Sequence, residues 1–144
     1  MEPDQQQPHE TTVTKQIYTP AHIRFGTFLG GPLVAGYYLA ENYKVFGEPG
    51  KAKATWIYAI AATIVIYGGI ISYAETVKIP GVIFPIAYCW VAFYLTEHFQ
   101  GAQINAHSAA GQRFFGWDRV ILVSLIGVAI TLAGIYIGVI ITGD

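Results

Sequence analysis

Three stretches of this chain run without a formal charge for long enough to cross a bilayer. They cover 21 residues from Ala54 to Ala74, 18 from Ile79 to Thr96 and 24 from Val120 to Gly143. A hydrocarbon core of about 30 Å takes about 20 apolar residues as helix. Inside that core every backbone N–H and C=O must be bonded within the protein, and a helix does this unaided. The expectation is an all-α fold, an integral membrane helical bundle with three long transmembrane helices. Composition points the same way. The chain is 53% apolar and 12% charged, with a mean hydropathy of +0.44. A soluble domain carries about 25% charge. The composition excludes a disordered chain, a basic nucleic-acid-binding domain and an ordinary soluble enzyme. A formal net charge of −1 gives no general pull on acidic partners.

The first apolar stretch is shorter. Phe25 to Ala40 is charge-free for 16 residues, about 24 Å as helix, and Gly30-Gly31-Pro32 interrupts it. Two readings compete. It is a short spanning helix whose Arg24 and Glu41 reach outward, or a re-entrant segment that bends at the Gly-Gly-Pro. The bundle then has three or four transmembrane helices. If the segment does not cross, Lys15, Arg24, Lys44, Lys51, Lys53, Arg113 and Arg119 lie on one side and Lys78 on the other. If it crosses, Lys15, Arg24 and Lys78 oppose the other five. The positive-inside rule favours three spans. Both arrangements place residues 41–54 and 97–119 in the cytoplasm and the C-terminus outside.

Residues 1–17, Gln-rich with Pro3 and Pro8, read as a disordered polar tail. Residues 18–144 form a single transmembrane domain with segments at about 21–41, 54–74, 79–99 and 119–142. The tail has Glu2, Asp4 and Glu10 before any basic residue, unlike a signal peptide, so an internal helix is expected to direct insertion. The lone Cys89 excludes an intrachain disulfide. The short link Glu75–Gly81 makes the second and third stretches antiparallel neighbours, and Pro85 is expected to kink the third.

Ser124, Gly127, Thr131, Gly134 and Gly138 follow a 3, 4, 3, 4 spacing, a heptad seam on one helix face. Small residues let membrane helices approach closely, so this face reads as a helix contact within the chain or with another subunit. The plainer reading is that glycine is simply frequent in such helices. Gly26 and Gly30 form a second, weaker pair. After the third stretch no proline intervenes, which leaves its helix free to continue. There Glu97, Gln100, Gln103 and His107 form a polar stripe. It could line a watery crevice or bind a partner; the plainer reading is a solvated helical extension. His98 and His107 fall on opposite faces, and no His pair has i, i+4 spacing, so no metal site is expected. The aromatic residues beside Arg113 and Arg119 read as an anchor at headgroup depth. No nucleophile elbow, zinc helix, phosphate loop or CxxC is present. The centres of the long helices carry no ionisable group, which argues against a pump or secondary transporter.

The run Phe25-Gly26-Thr27-Phe28-Leu29-Gly30-Gly31-Pro32-Leu33-Val34-Ala35-Gly36, with Glu41-Asn42-Tyr43-Lys44 and Gly47 after it, resembles an "FLGGPLAAGYLL…NY(K/R)ALG" opening. That opening belongs to a family of uncharacterised small bacterial integral membrane proteins. Gln100-Gly101, His107, Ala109-Ala110-Gly111 and Trp117 resemble that family's "QG…H…aaGG…W" segment, with Gln112 in place of its second glycine. The resemblance covers most of residues 18–142. It implies a bacterial inner-membrane protein in which the Gly-Gly-Pro and Gln100–Gly111 segments matter together, and it implies no chemistry.

The leading expectation is a non-enzymatic membrane protein that acts by helix–helix interaction. It would be an accessory or assembly subunit of a membrane complex, or a homo-oligomer. Its partners would be membrane lipids and other membrane subunits or itself, with no nucleic acid, cofactor, metal or catalytic residue. The alternative is a small channel or transport component built on the broken Gly-Gly-Pro helix and the polar stripe. A third reading is an intramembrane enzyme with Glu97, His98 or His107 as general acid or base.

Overall fold

The computed structural model describes residues 15–73 and 76–143. Among the described residues there are five helices: α1 Pro20–Gly30, α2 Pro32–Val45, α3 Pro49–Tyr73, α4 Ile83–Ala109 and α5 Trp117–Thr142. The only extended pairing among them is one bridge between Ile17 and Phe114. Two helices, α3 and α5, are long and apolar enough to cross a membrane. At 27 residues α4 is as long, but its second half holds Glu97, His98, Gln100, Gln103, Asn105 and His107. The third expected span is therefore not on the same footing as the other two.

The Gly-Gly-Pro segment is two helices, not one. Thr19 starts α1 with a reciprocal cap: its hydroxyl accepts from the His22 N–H at 3.1 Å, and His22 Nδ1 accepts from the Thr19 N–H at 3.3 Å. Pro20 follows at the first helical position, where its missing N–H costs nothing. α1 stops because Gly31 takes φ 82°, ψ −174°, a backbone region open essentially to glycine alone. Pro32 then opens α2. The turn satisfies both backbone groups of Gly31, while the buried Thr27 hydroxyl beside it has no hydrogen-bond partner among the described residues. The Gly31 N–H donates to Thr27 O at 2.8 Å, and Gly31 O accepts from Val34 at 3.2 Å and Ala35 at 3.3 Å. α2 runs back, so that Asn42 in its last turns bonds Tyr18, just before α1. Both open ends of this hairpin lie together. Its arms of 11 and 14 residues measure about 16 and 21 Å.

The hairpin is the hub of the bundle. α2 packs mainly on α3, and α1 packs on α4 and α5. Among the described residues α3, α4 and α5 touch one another only slightly. The main core comprises Tyr18, Ile23, Val34, Ala35, Tyr38, Ala92 and Val120. A smaller one at the α2–α3 junction joins Ala40, Tyr43 and Ala52. Small residues make the approaches close: a Cβ at Gly36 would strike Ala59 of α3, and one at Gly127 would strike Val34.

Several boundaries differ from expectation. α3 begins at Pro49 and takes Lys51 and Lys53 into its first turns. α4 begins at Ile83 after a turn closed by Ile83 N–H to Pro80 O at 3.0 Å. Pro85 therefore sits in the first turn, where a backbone N–H would have no helical acceptor and its absence costs nothing, and it does not interrupt α4. Most of the expected tail, residues 1–14, lies outside the described residues, as does Glu75 of the short link. Ile17 had been placed in the tail but is fully buried. Its carbonyl accepts from the Phe115 N–H at 3.0 Å, so ordered structure begins earlier.

Candidate functional site

The polar side chains of the described residues gather where the hairpin opens. Tyr18 lies between the Ile17–Phe114 bridge and α1, with its ring 4.4 Å from both Tyr38 and Phe115. Its backbone is held by one side chain. Asn42 Oδ1 accepts from the Tyr18 N–H at 2.8 Å, and Asn42 Nδ2 donates to Tyr18 O at 2.9 Å. The same amide donates to Gln100 Oε1 at 3.1 Å, and Gln100 Nε2 donates to Leu39 O at 2.9 Å. Asn42 and Gln100 are both fully buried. One amide pair thus ties the chain before α1, the end of α2 and the middle of α4.

A second branch reaches α5. Arg119 Nε donates to the Tyr18 hydroxyl at 2.9 Å, and its guanidinium lies 4.3 Å from the Phe115 ring centre. Burial raises the Tyr18 phenol above its ordinary value, outweighing the Arg119 hydrogen bond that lowers it, so the phenol stays neutral. Deeper in, the Tyr38 hydroxyl donates to Val120 O at 2.8 Å and lies 3.1 Å from Ser124 Oγ. The belt contains donors and acceptors that satisfy one another, with no nucleophile beside a base.

The polar stripe of α4 is divided by this packing. Gln100 is spent on Asn42 and Leu39. His107 is buried, and its Nε2 lies 2.8 Å from Arg113 O, so with a proton on Nε2 it closes the loop between α4 and α5. Gln103 Nε2 donates to Glu48 Oε1 at 3.4 Å. Glu97 is exposed. His98 is exposed and stacks on Tyr94 at 5.8 Å. The stripe is therefore not a uniformly solvated extension. Among the described residues no three His, Cys, Asp or Glu side chains are placed to hold a metal ion.

The small-residue seam of α5 is divided as well. Ser124 and Gly127 are buried against the hairpin, Gly127 facing Gly30 O and Val34. Thr131 is half-buried. A Cβ at Gly134 or Gly138 would meet nothing within 4 Å among the described residues. Gly30, Gly31 and Pro32 are all buried at the turn, and a Cβ on Gly31 would sit 3.0 Å from the Tyr67 hydroxyl of α3.

The sequence alone assigns no role to Asn42, Tyr18 or Tyr38. The available signal for Asn42 was a lone amide in a largely apolar helix, which has to find a partner if buried. Compared with known proteins, the chain matches no family model, no curated protein and no solved structure.

Proposed function

We propose that the chain is a multi-pass protein of the bacterial inner membrane that works by associating with other membrane-embedded helices, not by catalysis. In this reading α3, α4 and α5 span the bilayer. The α1–α2 hairpin enters and leaves from the cytoplasmic side. The protein serves as an accessory or assembly subunit of a complex, or as a homo-oligomer.

One observation carries the reading. The long helices pack on the hairpin but hardly on one another. Only 6% of the span window of α3 and 17% of that of α5 are buried within the chain. In water such apolar surface would collapse or aggregate; in a bilayer it is covered by lipid or by other helices. Charge placement supports the orientation. Lys15, Lys44, Lys51, Lys53, Arg113 and Arg119 belong to the end of the bundle where the hairpin opens, Arg24 lies within α1 over the rings of Trp90 and Phe93, and Lys78 follows the far end of α3, a pattern that suits a cytoplasmic belt. The vacant Gly134–Gly138 face supplies a place for a neighbouring helix, because lipid tails give no hydrophobic reason for helices to meet and close packing at small residues does.

The channel alternative has less support, since Gln100 spends both ends of its amide on the hairpin. The test is mild-detergent extraction from native membranes, followed by crosslinking and mass spectrometry of what co-purifies. Replacement of Gly134 and Gly138 by Leu is expected to abolish the higher-mass species while the monomer stays folded. Unchanged crosslinked species would overturn the reading.

A further inference from the structure

Between α3 and α4, floored by α2, lies a cleft of about 560 Å³. That is within the 300–1,000 Å³ range typical of ligand sites. Its walls include Ala35, Leu39, Ala62, Ile66, Val91 and Leu95. Thr55 also lines it, but the Thr55 hydroxyl already donates to Lys51 O at 2.8 Å. Lys51 is the one charged residue of the lining and stands at the end nearest the polar belt. It lies 5.7 Å from the Tyr43 ring centre and 3.0 Å from Glu48 Oε2, with its side chain 62% exposed. The cleft is thus apolar along its length and carries one half-paired ammonium at its end.

We infer that this cleft binds one acyl chain of an anionic glycerophospholipid of the leaflet nearest the polar belt, with the lipid phosphate at Lys51. The inference rests on the chain being embedded in a bilayer, and it goes beyond the helix-association reading by naming a ligand.

Dimensions select the occupant. From Lys51 to Ile66 the cleft follows α3 for about 22 Å at 1.5 Å per residue. One leaflet's hydrocarbon is about 15 Å deep, half of the 30 Å core. Spread over that length, and with a water radius of about 1.4 Å added on each side because the volume is the space open to water centres, the bore is about 8 Å, against the 10–12 Å body of a helix. A hydrocarbon chain fits; a transmembrane helix does not.

Charge selects the headgroup. An ammonium group recognises phosphate as a point charge. Lys44, Lys51 and Lys53 outnumber Glu41 and Glu48 on the adjoining turns. Lys44 is paired with Glu41 and Lys51 with Glu48. Lys53 has no carboxylate within ion-pair distance among the described residues, leaving a net positive rim.

The experiment uses the full chain in mild detergent, washed free of native lipid. Dioleoyl phosphatidylglycerol or dioleoyl phosphatidylcholine is added, and bound lipid is counted by native mass spectrometry. Wild type is expected to hold one phosphatidylglycerol, preferred at least fivefold over phosphatidylcholine. Ala62→Phe, which fills the cleft from an exposed position, is expected to lose both lipids. Lys51→Gln, a change at an exposed side chain, is expected to keep binding but bring the preference within twofold. Equal retention by wild type and Ala62→Phe overturns the inference. So does an undiminished preference in Lys51→Gln, or a crosslink from a cysteine at Ala62 to another subunit's helix. A chain monodisperse in buffer without amphiphile would instead overturn the membrane reading itself, so the two failures are distinguishable.

Discussion

Replacing Asn42 with Ala tests the polar belt most directly. Asn42 is fully buried and makes three hydrogen bonds, at 2.8, 2.9 and 3.1 Å, to Tyr18 N–H, Tyr18 O and Gln100 Oε1. Each such bond contributes about 1 kcal/mol net, and a buried group left unpaired costs about 1–3 kcal/mol. The Ala variant removes the partner of both polar groups of the Tyr18 backbone. The expected loss is about 3–4 kcal/mol, at the upper end for single substitutions. In a chain of this length that lowers the unfolding midpoint by roughly 10 °C. The assay is reversible unfolding in detergent micelles, followed by circular dichroism. Gln100→Ala is expected to cost about 2 kcal/mol, since one of its two bonds is to a backbone carbonyl. Because the two residues share the 3.1 Å bond, the double variant should lose about 1 kcal/mol less than the sum. A loss under 1 kcal/mol for Asn42→Ala, or strict additivity with Gln100→Ala, would refute the claim that this amide pair locks the hairpin to α4.

Gly31→Ala is expected to cost about 1–3 kcal/mol because its φ of 82° is closed to residues with a Cβ; an unchanged midpoint in the same unfolding assay would contradict the turn geometry. Gly127→Ala, forced against Val34, should destabilise by about 1–3 kcal/mol through overpacking. Gly134→Ala, in open space, should stay within about 0.5 kcal/mol of wild type; similar losses at the two positions would mean that the seam packs along its whole length. In a Cys89→Ala background, single cysteines at Thr19 and Lys44 should label from the same face of sealed vesicles, and one at Lys78 from the opposite face. Labelling of Thr19 and Lys44 from opposite faces would mean that the segment crosses the membrane and is not a hairpin.

The long helices were legible because absence of charge over 18–24 residues is a local property of the chain. The break at Gly30-Gly31-Pro32 was legible for the same reason: glycine and proline act on their own dihedrals. The direction taken after the break was not. A kinked spanning helix and a hairpin share one local signature. What separates them is contact between Tyr18 and Asn42, 24 positions apart, and between Asn42 and Gln100, 58 apart. No period links these residues. The α5 seam shows the same limit. Its spacing put Ser124, Gly127, Gly134 and Gly138 on one face, but the depth reached by the hairpin decides which of them are covered. The polar stripe of α4 was visible as a stripe. Its burial depended on α2 arriving with carbonyl Leu39 O and amide Asn42 at the height of Gln100.

In the orientation proposed above the hairpin turns inside the bilayer, so the helix ends at its turn lie in hydrocarbon, where their backbone groups cannot turn to water, while its open end lies at the polar belt. The two ends are tied in different ways. At the turn the solution is local: the Gly31 N–H is taken by Thr27 O, Gly31 O accepts twice, and Pro32 has no N–H to satisfy. At the open end the solution is long-range, through Asn42, Gln100 and Arg119. The turn and the Asn42–Tyr18 pair can therefore form as soon as α1 and α2 are made, whereas Gln100 and Arg119 add their bonds only when α4 and α5 are in place. Truncation after Tyr73, which removes Gln100 and Arg119, should leave the turn geometry intact but lower the protection of the Tyr18 N–H and the Asn42 side-chain amide against hydrogen exchange. Full protection of those amides in the truncated chain would show that the belt is not what joins the hairpin to the later helices.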